Sequence, residues 1–555
     1  MSEINTSKPK QIIDEIRKIK FGIGVDTTNL PEIQKKRNEE SDKTLNNFSK
    51  IAKEIQTKND HFIFELIQNA EDNEYEKSKP TIKFIINFDS LIIQNNEKGF
   101  YEENVKALCN IGGSSKIKKG YIGEKGIGFK SVFMVANKVQ IYSNGFQFQF
   151  WHHKDNTLWK KFENTTMIIP EWIEKSPDFI DLKQTNFILY LKPETNEKIS
   201  KYIEKIQPLL LLFLKKLKVI EIEDKNKNKI RRLGLNKREG IVEIFDDDEK
   251  NYWKVIKKSF NAPQNIGGER RKDVNETEIV LAFTLKDDYT SNTSNDQFIF
   301  AFLPIKKYGF KFLIHADFIL SISREDILKD NKWNVWIRDS IIEVFLDAII
   351  EFKKDEKLKY NFYDYLSFDE VKDEFFLPIV EQIFEKLKEE ECILTSEDRW
   401  KKPSKILVGN EEIKKIVTNE DLQKFFEKEY ISERVKAKKP ILIKLGVEYF
   451  LIKDLIKCLE NTEWIKKQND EWFVSLFSYF SKEKLSDEQL NQLKHTKIIK
   501  IESEELTSIN GYKVFIPLEK KETYGFEHEL NVIKKDIIDA IYECEKEEKD
   551  GISEF

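Results

Sequence analysis

Seven of the chain's 20 glycines fall between Gly99 and Gly128. Glycine has no Cβ, reaches positive φ at little cost and lets a ligand come close to the main chain. The densest stretch, YIGEKGIGFKS at 121–131, therefore asks for backbone conformations or close approaches that side chains would prevent. The run FKSVFMVANKV that follows has helical spacing, so successive N–H groups and a helix N-terminus can converge on phosphate oxygens. Lys116, Lys118, Lys119, Lys125 and Lys130 flank the segment. Two common phosphate motifs fail here. The P-loop needs its lysine directly after the second glycine, and Phe129 displaces Lys130 by one place. The dinucleotide fingerprint needs GxGxxG after a strand, whereas Gly123, Gly126 and Gly128 give the reverse order after a loop-like segment. A glycine-rich surface loop remains the competing reading.

A second constellation lies upstream. HFIFELIQNAEDN at 61–73 has helical spacing, with Ile63, Leu66, Ile67 and Ala70 on one face. Glu65, Asn69 and Asp72 stand at i, i+4 and i+7 on the opposite face. A solvated acidic face has the same pattern. A glutamate and an asparagine beside a phosphate loop also suit nucleotide hydrolysis. An amide oxygen can ligate Mg²⁺, which prefers oxygen donors and keeps several waters, and a carboxylate can polarise the attacking water.

Together ELIQNAED and IGEKGIGFKS resemble two motifs of the Bergerat-fold (GHKL) ATPases, the class of gyrase, MutL, histidine kinases and ninety-kilodalton heat-shock chaperones. QTNFILYLK at 184–192 resembles the chaperone segment in which a threonine opens a strand beneath the adenine. The first glycine box departs from the family's DxGxG: NNEKG at 95–99 puts Asn95 at the aspartate and Glu97 at the first glycine. An asparagine carbonyl can still accept from an exocyclic amine. This departure, with NIGGSSK and GEKGIGFKSVF, is similar to the sacsin N-terminal-like branch.

The resemblance implies ATP and Mg²⁺ as cofactors. It makes Glu65 the general base and Asn69 the metal ligand, with Asp72 and Asn73 completing the helix end. Asn95 and Thr185 would hold adenine, followed by Gly99 and Phe100 of the first box. Gly112, Ser114, Ser115 and Lys116 belong to a short lid. Gly123, Lys125, Gly126, Ile127, Gly128 and Phe129 would cradle phosphate, and Lys130 is a further phosphate contact. HADFILSISREDILKDNKWNVWIRDSIIEVF at 315–345 resembles the chaperone middle domain, where a loop ending in SRE sends an arginine to the γ-phosphate. Arg324 is the matching residue, and Leu328 stands near the place of the family's glutamine. A surface arginine paired with Glu325 or Asp326 is the alternative.

The implied organisation is α+β. A helical arm at 1–60 precedes a Bergerat α/β sandwich at 61–205, a transducer-like middle domain at 206–355 and a mostly helical interaction region at 356–555. Strands are expected at 81–89, 91–95, 186–193, 218–224, 278–285, 297–305 and 310–320. Helices are expected at 208–217 and 334–352. The basic segment 225–238 reads as a solvated turn rather than a nucleic-acid contact. CILTSEDRWKKPSKILV (392–408) and IIKIESEELTSINGYKVFIP (498–517) echo each other, as a repeat or as two unrelated hairpins.

Composition sets outer limits. Charged residues make up 34% of 555 residues, yet the net charge is -5, which disfavours a nucleic-acid coat. Four cysteines and six histidines show no metal-ligand spacing, and no apolar run approaches a membrane span. The start lacks the apolar core of a signal peptide, so a cytoplasmic protein without membrane contact is expected. The resemblance further implies slow turnover and pairing of ATPase domains into a homodimer, with the polar arm exchanged between copies. The expected role is a switch in bacterial antiviral defence. A chaperone-like machine and a nucleotide-sensing scaffold remain the alternatives, and a partner protein carrying an effector activity stays open.

Overall fold

A computed structural model describes residues 6–21, 23, 61–76, 79–110, 128–151, 163–264, 266, 271, 274–321, 326–511, 513–516 and 530–542. The fold is α+β, with two compact units. The first comprises residues 1–345 and 368–376, the second 346–367 and 377–555, and the division falls within the helix Lys332–Lys354.

One mixed sheet of 14 strands runs through the first unit. Its leading half holds β1 (Thr81–Ile86), β2 (Ser90–Asn95), β3 (Ala136–Ser143), β4 (Phe146–Trp151), β5 (Glu171–Trp172) and β6 (Thr185–Leu191). The other half holds β7 (Val219–Asp224), β8 (Lys229–Arg238), β9 (Ile241–Asp246), β10 (Glu249–Asn261), β11 (Glu276–Leu285), β12 (Phe298–Ala301), β13 (Leu303–Lys307) and β14 (Leu313–His315). The spatial order is 13-12-14-11-10-9-8-7-1-2-6-3-4-5. The halves join where β1 pairs in parallel with β7, from Thr81↔Val219 to Ile86↔Asp224. Phe84, fully buried, faces Ile222 on one side and Ile93 on the other. Lys83 and Glu223 form an ion pair of 2.7 Å across this seam. The sheet therefore passes without a break over the 205/206 boundary expected from sequence. The strands on either side of it in sequence, β6 and β7, belong to one sheet.

The helix His61–Asp72 forms because its apolar residues recur on one face and no glycine or proline interrupts it. Phe62, Ile63, Leu66, Ile67 and Ala70 are buried in one core with Phe129, Val132 and Phe133 of the 3₁₀ segment Gly128–Met134. Full burial of each large apolar side chain is worth about 1.5–3 kcal/mol, so this face holds the helix down.

The described part of the arm packs within its own chain. Ile13, Ile16 and Phe21 enter the same core, Lys10 meets Glu174 at 2.7 Å, and the Arg17 guanidinium donates to the Pro170 carbonyl at 2.7 Å. Three local expectations change. The segment 208–217 is a short 3₁₀ turn, Pro208–Leu212, rather than a longer helix, because the amides of residues 215–217 donate to a side chain elsewhere. The run after Gly128 is 3₁₀ and becomes strand by Ala136. Residues 229–238 of the basic segment are strand β8, whose cations pair across the sheet: Arg231 with Asp246 at 2.6 Å and Arg232 with Glu221 at 3.3 Å.

In the second unit the echoing segments are two copies of one lattice. Ile393–Leu394 pairs antiparallel with Trp400–Lys401, as Ile499–Lys500 pairs with Leu506–Thr507. The next apolar strand leaves for a parallel partner: Ile406–Val408 joins Glu429–Tyr430, and Val514–Phe515 joins Asn531–Val532. Thr395 bridges Ile431 as Ile501 bridges Ile533. The positive φ of Asp398 (54°) is matched at Glu504 (66°). The amides of Ser396 and Glu502 donate to Tyr430 and Val532, and those of Ser432 and Lys534 to Leu394 and Lys500. Of the two readings, a repeat or two unrelated hairpins, the shared pairing pattern supports the repeat.

Candidate functional site

Asn95 ends β2 and Thr185 opens β6, and the register sets them opposite each other. Both are buried, at 3% and 0% exposure. Tyr75, just past the helix His61–Asp72, donates its hydroxyl to the Ala70 carbonyl at 2.7 Å and lies 2.9 Å from Asn95 Oδ1. A phenol has one proton. Both the Ala70 carbonyl and Asn95 Oδ1 stand as acceptors within reach of it, and it can donate to one of them at a time. A carbonyl oxygen has two lone pairs, so Asn95 Oδ1 can also accept from an amine. Burial pushes the Tyr75 phenol far above its ordinary range, so it stays neutral.

On the other side, Ser143 Oγ accepts from the Phe100 N–H at 2.8 Å and lies 2.6 Å from Thr185 Oγ1. Ser143 can therefore give its own proton to Thr185, which keeps its own to donate. Asn144 Nδ2 donates to the Phe100 carbonyl at 3.0 Å. Gly99 has φ +91°, and a Cβ there would come within 2.8 Å of Asn144 Cβ. The glycine is thus required by the backbone and by close packing on the turn. Phe187 stands between Phe100 at 6.2 Å and Phe129 at 5.7 Å, giving this end of the sheet an aromatic wall.

Glu65 and Asn69 are half-buried on the helix that packs against Gly128–Met134. Asp72 is buried and Asn73 half-buried, and the carbonyls of both accept from Lys216 Nζ. Among the described residues, no three His, Cys, Asp or Glu side chains form a metal-holding group. The donors present suit a cation that arrives with phosphate oxygens and takes one amide oxygen from the protein. Gly112, Ser114, Ser115, Lys116, Gly123, Lys125, Gly126, Ile127 and Arg324 lie outside the described residues, and Gly128 opens the 3₁₀ segment. The base of the Arg324 loop is described: Leu320 bridges Ile327, and the Ser321 amide donates to the Asp326 carbonyl at 2.9 Å. Asp326 accepts from the Tyr308 hydroxyl at 2.5 Å and meets Lys306 at 3.4 Å.

Lys130 is placed differently from the phosphate contact expected. Its ammonium is buried, donates to the carbonyls of Leu108 at 2.5 Å and Met167 at 3.3 Å, and lies 4.6 Å from the Phe150 ring. Burial brings its pKa down to about 7, and the nearby Lys20 charge adds to the fall; burial also pushes the neighbouring Cys109 thiol up to about 11, so it stays neutral. Lys20 of the arm donates to the Cys109 carbonyl at 2.5 Å and to Asn110 Oδ1. Two lysines thus pin the chain at 108–110, directly ahead of the glycine segment, and one of them leaves from its far end.

Sequence reasoning missed Tyr75, Ser143, Glu71 and Lys20. The Asn144–Gly145 pair is a two-residue hairpin signal that would have put Ser143 at a strand end. Nothing local marks the other three.

No family model matches the chain. Protein NO VEIN of Arabidopsis thaliana is similar, with 30% identity over 483 residues. The match covers 81% of this chain and 17% of the plant protein, so the chain spans less than a fifth of the length of the curated relative it matches. No helix among the described residues is long and apolar enough to cross a membrane.

Proposed function

We propose that the chain binds Mg-ATP and hydrolyses it slowly as a Bergerat-type ATPase of the sacsin-like branch, its nucleotide state setting conformation or pairing. The observation that carries this reading is the pairing of Asn95 with Thr185 across β2 and β6, each held by a hydrogen-bonded neighbour. One group offers an acceptor and the other a donor, the complement of an adenine edge. The motif helix with Glu65 and Asn69 belongs to the same core.

Bound ATP supplies the electrophilic phosphoryl group. Asn69 would hold its Mg²⁺, and Glu65 would take a proton from the attacking water. Arg324 is assigned the transferred charge on the strength of its motif. The proposed setting is a bacterial antiviral switch. Stimulation of turnover by nucleic acid, weakening with salt, would support it, whereas suppression of client aggregation would favour the chaperone-like role.

Titration calorimetry with a non-hydrolysable ATP analogue, with and without Mg²⁺, tests binding. Asn69→Ala should weaken only the Mg²⁺-dependent part. Glu65→Ala should bind as wild type but turn over roughly 10²-fold more slowly, the usual effect of losing a general base. Wild-type turnover by Glu65→Ala, or no nucleotide binding at all, would refute the proposal.

A further inference from the structure

The helix His61–Asp72 is tied to the sheet at a residue that the nucleotide reading leaves unused. Glu71, 4% exposed, leaves the last turn toward the segment ahead of β7. Its Oε1 accepts from the backbone N–H of Lys215 at 2.5 Å and of Lys216 at 2.9 Å. Its Oε2 accepts from Lys216 at 3.2 Å and Leu217 at 2.9 Å. Three successive amides converging on one carboxylate make a main-chain anion nest, and its occupant is a side chain of the same molecule.

The contact is returned. Lys216 Nζ donates to the carbonyls of Asp72 at 3.2 Å and Asn73 at 2.7 Å. Those carbonyls belong to the helix C-terminus, where a cation is favoured. Nearby lysines feel the same carboxylate: burial lowers Lys218 and Lys257, and the Glu71 charge opposes the fall in both. The latched segment is short and leads directly into β7, where Lys218 and Val219 donate to the Pro80 carbonyl and the parallel ladder with β1 begins. Glu71 therefore stands two residues from Asn69 on one side and a few from the seam strand on the other. Any displacement of the helix end must either empty the nest or carry 215–217 with it.

We propose that Glu71 and Lys216 are positioning residues that pass a change at the nucleotide helix into β7 and the sheet beyond it; this rests on the ATP reading above. The latch is charge-assisted at every bond and gripped from both partners, so it moves as one piece. β7 then shifts with the helix end, and β8 with β7.

Hydrogen exchange of the full chain tests this, with and without Mg²⁺ and a non-hydrolysable ATP analogue, alongside calorimetry and steady-state turnover. In wild type, the analogue should alter exchange over 215–224 as well as over 61–73. Glu71→Gln should bind the analogue within about threefold of wild type, lose the response over 215–224, and lower kcat about tenfold at constant KM, a coupling of ordinary size. A wild type that binds the analogue without a response over 215–224, or a Glu71→Gln variant that transmits it in full, overturns the inference and leaves the ATP reading intact. A wild type that does not bind removes both. Should Glu71→Gln fail to fold, Lys216→Met keeps the nest and removes only the helix-end grip. It should weaken the 215–224 response, and a full response there overturns the inference.

Discussion

The two units hold together by opposite means. The first spreads one ladder of 14 strands through its core, so that each strand near the seam supports neighbours on both sides. The second uses a small lattice twice, with strands of two or three residues joined by single bridges. The first unit buries Glu71 and the Lys130 ammonium among main-chain groups. The second answers its charges with opposite charges: buried Glu429 meets Arg399 and Lys401, and Lys500 and Lys534 share Asp470 and Glu504.

The seam should give the largest effect. Phe84→Ala removes a fully buried ring that faces both β2 and β7, and should cost about 3–5 kcal/mol. Hydrogen exchange should show lost protection on both sides of the β1–β7 ladder with the second unit unchanged. Loss confined to the leading half would mean that the halves are not one cooperative piece.

Lys130 gives the next effect, and its sign follows from linkage. Its folded pKa, about 7, lies below the ordinary value of 10.5, so between these limits the unfolded chain binds more protons than the folded one. The cost of burying this amine is therefore complete below pH 7 and fades as pH rises toward 10.5. Lys130→Met should remove that slope. Between pH 7 and 9 the wild type should gain about 2 kcal/mol relative to the variant in denaturant titrations, at about 1.4 kcal/mol per pH unit. Parallel pH profiles would show that the amine is not buried as described.

The smallest effect concerns the twin lattices. Asp398 and Glu504 hold equivalent left-handed positions, where a β-branched residue is unfavourable. Asp398→Val and Glu504→Val should each cost about 1–2 kcal/mol, the scale of left-handed strain, with no change in nucleotide binding. Strongly unequal costs by thermal melting would break the equivalence.

Much of the leading half was legible because period and composition agreed. The apolar face of 61–73, the strands at 81–95 and the strand opened by Thr185 needed only local pattern. β8 was read as a turn because its cations hid a strand whose partners, Asp246 and Glu221, come from other strands. Lys130 was read as a phosphate contact because a lysine beside glycines suits that role. Its actual acceptors, Leu108 and Met167, lie about 22 and 37 positions away.

The chain's own letters settled which segments bury an apolar face, where glycines permit unusual backbone, and which polar side chains stand together on one helix. These are short-range properties, set by rotamers, φ preferences and the spacing of apolar residues. The fold alone decided that Glu71 would enter a nest at 215–217 and that β1 would run beside β7. Such pairings join groups remote in sequence, so long-range hydrogen bonding and burial set them and local pattern does not.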